Sequence, residues 1–193
     1  MISKDKDDKL VRIYCFICDR FKDLEFYCER FSNNNKPIFT DQEIMTIYLY
    51  IMHHEGHVKV NRIHRFAAEH LKSWFPNIGS YQAFNNRLNR LSCAFTRLTE
   101  MLIEEHQPDD CCLNQSLLDS MPIITCSGKR SGKVAAEITD KGFCSTKGIY
   151  YYGLKLHFLG FRRIGKLPHP EQILYTYASV NDVTVFKEAW SEI

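Results

Sequence analysis

Residues 114–125 read NQSLLDSMPIIT, and they place one acidic side chain, Asp119, inside an apolar run. A carboxylate buried without a partner is costly, so such groups neutralise, pair with a cation or hold a metal. The run predicts a strand over 114–119. Asp119 then has two readings: a strand-end residue paired to a nearby lysine, or a ligand for a hard cation.

The downstream sequence extends this strand into a sheet. Segments 149–161 and 172–180 are also β-rich. In YGLKLHFLG, Leu154, Leu156 and Phe158 fall on one face of a strand, with Lys155 and His157 on the other. RRIGK, 162–166, is a turn, and Pro168 and Pro170 demand an edge or an irregular entry to the next strand. In SVNDVTVFKEAW, Asp182 is placed as the N-cap of a helix starting at Val183. The second half reads strand, strand, strand, helix.

The first half reads as helices. Leu10, Ile13, Ile17, Phe21 and Leu24 mark one face of a helix over about 5–31, broken by SNNNKP. In FTDQEI, Thr40 and Glu43 have capping-box spacing, with Phe39 and Ile44 placed as a hydrophobic staple. That helix runs to about His54 and stops near Gly56. A third covers 60–72, and SWFPNIGS is the turn after it. A fourth starts from Ser80, and its residues Tyr81, Phe84, Leu88, Leu91, Phe95, Leu98 and Leu102 form a heptad seam. That seam suits a core helix or a dimer. The other faces carry Asn85, Asn86, Arg87, Asn89, Arg90 and Arg97, side chains suited to adenine and guanine edges. Helix, turn and long helix over 60–106 resemble a helix-turn-helix.

Composition narrows the classes. At 193 residues, 45% apolar and 25% charged, the chain forms one core, or a small domain plus part of another. The charged start MISKDKDDKL is no secretory signal, and the longest apolar run, 44–52, is too short to cross a bilayer. Eight cysteines without an export signal read as reduced cytoplasmic thiols. The net charge of +2 hides one basic segment: residues 128–166 hold nine lysines and arginines against Glu137 and Asp140. Such a segment fits a polyanionic partner, or simply a solvated surface.

Three motifs fall short of their patterns. HHEGH, 53–57, is not the His-Glu-x-x-His of zinc proteases. Cys15 and Cys18 have no second pair at zinc spacing. SGKRSGKV, 127–134, is one residue short of a phosphate loop and lacks Ser or Thr after Lys133. There remains Asp119 beside the Lys155/His157 strand and the basic segment. Mg²⁺ takes one or two carboxylates plus substrate phosphates, and a pair of such ions activates a water or hydroxyl for in-line attack at phosphorus.

LLDSMPI, then Cys126 and Arg130, KGFCSTKGIYYYGLKLHF and YASVNDVTVF resemble the DDE transposases of bacterial insertion sequences. The likeness is to the insertion-sequence-four-like group, in its nine-eight-two branch, and FTDQEI and FPNIGSYQAFNNRLNRL resemble that branch's helical N-terminal region. The resemblance covers most of 38–190. It implies an α+β chain: a helical DNA-binding domain over 1–110, then at 111–193 the first strands and helix of an RNase H-like, retroviral-integrase-like catalytic domain. It also implies Mg²⁺- or Mn²⁺-dependent cleavage and strand transfer at transposon ends by two aspartates and a glutamate.

Asp119 matches the first acid. Asp182 matches the family's Asn-x-x-Asp-like segment, as a group supporting the site or as a metal ligand itself. The Asp-x-Gly-Tyr motif of the second acid and the helix of the third do not occur, and Glu188 and Glu192 lie too close to Asp182. The expectation is a C-terminally truncated transposase, inactive alone. Its DNA contacts are Asn85, Asn86, Arg87 and Arg90 on the recognition helix, and Arg130, Lys155 and His157 on phosphates or around the site. The resemblance further implies target DNA, a homodimer of the full-length enzyme, and a bacterial cytoplasmic location at the nucleoid, away from membranes. A non-catalytic DNA-binding fragment and a helical dimerisation module are the alternatives.

Overall fold

The computed structural model describes residues 4–28, 37–130 and 134–191. The proposed break at 32–36 and residues 131–133 of the glycine–lysine stretch lie outside them. Six α-helices and a four-stranded antiparallel sheet make up the regular structure of the described residues, a mixed α+β chain. It divides into two compact units, Met1–Met101 and Leu102–Ile193.

The first unit is helical: α1 (Lys4–Leu24), α2 (Asp41–His54), α3 (Val60–His70), α4 (Tyr81–Arg90) and most of α5 (Ser92–Glu105). Leu10, Ile17 and Leu24, seven residues apart, are at most 1% exposed, and they face a core to which α2 brings Ile44, Ile47 and Ile51. Each such side chain stabilises the fold by about 1.5–3 kcal/mol. After Leu24 the chain tightens into a 3₁₀ turn, Glu25–Tyr27, so α1 ends earlier than its periodicity predicts. The capping box forms: Glu43 N–H donates to Thr40 Oγ1 at 3.3 Å, and Thr40 N–H donates to Glu43 Oε2 at 2.5 Å. Gly56, at φ +67°, supplies the left-handed residue just beyond α2.

The long fourth helix is in fact two. Leu91 N–H bonds the Leu88 carbonyl, three residues back, and α5 restarts at Ser92. Asn89, Arg90 and Ser92 supply little helix propensity against such a break. Phe84, Leu88, Leu91 and Leu98 are at most 7% exposed. Four of the seven seam residues are therefore core, whereas Tyr81 at its start is 45% exposed.

The second unit is built on β3 (Ile149–Arg162). Strand β1 (Cys112–Ser127) runs along one edge of it. The other edge is shared by β2 (Asp140–Cys144), paired with 149–153, and β4 (His169–Tyr177), paired with 154–161. Pro170 falls at the register shift near Gly160, where a missing N–H is tolerated. Helix α6 (Asp182–Ser191) follows β4. Strand β2, DKGFC, is too short and too poor in β-forming residues to stand out from sequence.

Candidate functional site

Register separates the residues that sequence reading put together. Asp119 lies opposite Phe158, and Ser120 lies opposite His157. Opposed residues share a face and neighbours alternate. Asp119 therefore belongs with Met121, Ile123, Leu156, Phe158 and Tyr175, whereas Lys155 and His157 belong to the opposite face. The first of these faces is open: Met121 is 57% and Tyr175 70% exposed. Asp119 is itself exposed, and its Oδ1 accepts the Ser120 N–H at 2.8 Å. The idea of a buried, uncompensated carboxylate is thus corrected, because a period of two splits the apolar run between two faces and leaves the acid on the solvated one.

The other face carries a polar cluster under α6. His157 is 1% exposed, and its Nε2 lies 2.9 Å from Thr176 Oγ1. Asp182 Oδ1 is 3.5 Å from His157 Nδ1 and 3.2 Å from Lys155 Nζ, while Ser120 Oγ donates to Asp182 Oδ2 at 3.0 Å. Lys155 Nζ also donates to the Val180 carbonyl at 2.9 Å. Burial pushes the His157 pKa below its usual value, against the pull of Asp182. A hydroxyl, an imidazole and a carboxylate meet here, but Ser120 bonds the acid rather than the imidazole, so no activated nucleophile results. The cluster ties the start of α6 to β1 and β3. Three assignments change accordingly. Lys155 and His157 are committed to Asp182 and Thr176 and do not face a phosphate track. Asp182 is not the cap; Asn181 Oδ1 accepts the Val183 N–H at 2.8 Å, and Asp182 is the first helical residue.

In the helical unit Arg87 turns inward. Its Nη2 sits 2.6 Å from Oδ1 of Asp41, a carboxylate 5% exposed, and its Nη1 donates to the Phe39 carbonyl. Arg87 fastens α4 to the start of α2 and does not read bases. Arg90 and Asn85 are half-buried, and Asn86 is exposed. Gln82, Asn86 and Asn89 form the exposed amide row of α4, at steps of four and three. That row was readable from spacing, but the pairing of Arg87 with Asp41 was not. His64 Nε2 lies 2.9 Å from the Gly79 carbonyl, joining α3 to the turn before α4. Arg130 is exposed in the turn after β1.

Among the described residues no group of three or more His, Cys, Asp or Glu is placed to hold a metal. Asp119 supplies a single carboxylate, so these residues alone do not make a Mg²⁺ site. No described helix is long and apolar enough to cross a membrane. No protein-family model, curated protein or solved structure matches the chain.

Proposed function

We propose that this chain is a DNA-binding protein of the insertion-sequence DDE transposase kind, with residues 111–193 forming the opening of an RNase H-like catalytic domain. The observation that carries the reading is the placement of Asp119. It lies midway along the first strand of an antiparallel β1–β3–β4 arrangement, on the face opposite Leu118 and His157, which line a small cavity with Val185 and Phe186 of α6. Among the described residues the outer edge of β1 pairs with nothing, leaving room beside Asp119 for a further strand. When bound, a divalent ion would supply Lewis-acid chemistry at phosphorus. One carboxylate does not fit that role.

What the chain's own residues do is bind. The amides of Gln82, Asn86 and Asn89 have donors and acceptors suited to adenine edges in a major groove, and exposed Arg62 and Arg65 of α3 suit phosphates. The test is footprinting of the full chain on DNA flanking its coding sequence, against scrambled duplex of equal length. The expected result is a protected flanking segment, with affinity falling steeply with salt and dropping about tenfold or more in Asn86→Ala/Asn89→Ala. Equal affinity for flanking and scrambled DNA overturns the reading.

A second reading, occupancy of transposon ends without cleavage, is favoured by the lack, among the described residues, of any group of three or more His, Cys, Asp or Glu placed to hold a metal. Strand cleavage that requires Mg²⁺ and vanishes in Asp119→Asn eliminates it.

A further inference from the structure

The basic segment is partly used inside the fold. Lys155 is held by Asp182, Arg163 and Lys166 by Asp110, and Arg162 by Gln115. Four further cations, Lys129, Arg130, Lys141 and Lys147, are exposed and make no ion pair among the described residues. Asp140, the acid nearest them in sequence, is turned to Ser179, whose N–H it accepts at 3.0 Å. All four cations lie at one end of the sheet, around the β2–β3 hairpin. The surplus charge of the chain is therefore a local patch and not a general surface property.

The same end carries exposed aromatic rings. Phe143 and Tyr150 are cross-strand partners, 51% and 61% exposed, with ring centroids 4.9 Å apart. Lys141 Nζ stands 5.1 Å from the Tyr150 ring centroid. Cross-strand pairing accounts for the contact between the rings but not for their open surfaces, nor for the cations around them. Beside them lies a cleft of about 580 Å³, lined by Ile124, Ser127, Gly128, Lys129, Lys141 and Tyr150 among others. Gly128 lets β1 approach β3 at this point: its N–H donates to the Tyr150 carbonyl at 3.0 Å, and a Cβ would sit 2.5 Å from that oxygen. The backbone under the Tyr150 ring is thereby fixed.

We infer that the Phe143/Tyr150 hairpin, with Lys129 and Lys141, is a binding site for single-stranded nucleic acid: an unpaired base stacks on the aromatic surface and the lysines take the adjoining phosphates. An open ring flanked by lysines meets both needs of such a ligand, a π-face for any base and compensation for its backbone charge. The inference names a second nucleic-acid contact within the proposed function, separate from α4, and it rests on the nucleic-acid part of that reading.

The test uses the full chain and three fluorescent probes of equal length: a thymidine strand, an abasic strand and a duplex. With duplex reading by α4 removed in Asn86→Ala/Asn89→Ala, the thymidine strand is expected to bind most tightly. Tyr150→Ala is expected to weaken it about 5- to 100-fold, with Tyr150→Phe, which keeps the ring, binding as the native chain. Lys129→Gln and Lys141→Gln are each expected to flatten the log–log salt dependence by about 0.7. Circular dichroism verifies the fold, and Phe143→Ala serves as a second ring variant.

Equal binding of the abasic and thymidine strands overturns the inference, as does tighter binding of the duplex that persists in Asn86→Ala/Asn89→Ala. Binding of phosphatidylserine vesicles without strand binding also overturns it, in favour of an anionic membrane. Asn86→Ala, which acts on duplex recognition by α4, is expected to leave the thymidine arm unchanged. The two readings therefore fail separately.

Discussion

Arg87→Ala separates a structural role from a DNA-reading one. The guanidinium is 24% exposed and lies 2.6 Å from the Oδ1 of a carboxylate only 5% exposed, and it also donates to the Phe39 carbonyl. Removing one partner of a buried pair costs about 3–5 kcal/mol, much of it from the charge left behind. Partial exposure of Arg87 reduces this to about 2–3 kcal/mol. For a helical unit of this size that lowers the melting midpoint by about 10–20 °C.

Urea denaturation followed by far-ultraviolet circular dichroism reads the loss, and a double-mutant cycle with Asp41→Asn isolates the pair from the Phe39 contact. Arg87→Lys keeps the charge but loses the fork, so it is expected to fall between. A loss under about 0.5 kcal/mol, accompanied by weakened DNA binding, refutes the argument and returns Arg87 to the recognition surface.

Three further outcomes follow from other contacts. Because burial holds His157 below its usual pKa of 6.5, the unfolded chain takes up the proton first. The contribution of His157 to stability should be full above pH 6.5 and fall as the pH drops from there towards the folded value. Urea midpoints across that window detect it, and His157→Gln shallows the slope, leaving the part due to His54, whose pKa burial also lowers. Hydrogen bonds from Arg163 and Lys166 hold Asp110 at about 2 instead of 3.8. The stability they add is present above pH 3.8 and lost as the pH falls through 2, and a carboxyl NMR titration should move up towards 3.8 in Arg163→Ala. Gly153→Ala would drive a Cβ into the Ile123 carbonyl, costing about 3 kcal/mol in urea unfolding, whereas Gly148→Ala, in open space at φ +60°, costs about 1 kcal/mol.

Local signals were legible where a residue's neighbours in sequence are also its partners in space. The Thr40/Glu43 capping box, the Gly56 stop, the alternation of Leu154–Phe158 and the edge placement of Pro170 all belong to this kind. Long-range partners were not legible. Arg87 looks like a base reader until Asp41, far away in sequence, is brought against it. Lys155 and His157 look like phosphate ligands until Asp182 folds back over the strand. Asp182 looks like a cap because it resembles one chemically, but Asn181, one residue earlier, has the backbone position. The Phe143/Tyr150 pair escaped notice because β2 has too little strand propensity to predict the hairpin that brings the rings together.

The separation of the two sheet faces also constrains the proposed contact of nucleic acid with the second unit. Asp119 and the Lys155/His157 pair cannot serve one phosphate, because the sheet itself stands between them. Cations acting together with Asp119 must come from its own face. Along β3 that face passes from Phe158, opposite Asp119, through Leu156, Leu154 and Tyr152 to Tyr150, where Lys141 and Phe143 stand alongside. Eight residues of strand span about 26 Å. A nucleic-acid strand held on the hairpin, as proposed above, would reach Asp119 only by running along this open surface of apolar and tyrosine side chains, Tyr152 and Tyr175 included. Under the proposal above, Asp119 and the cationic hairpin would be the two ends of a single track, a role that a lone acid in an apolar run does not suggest.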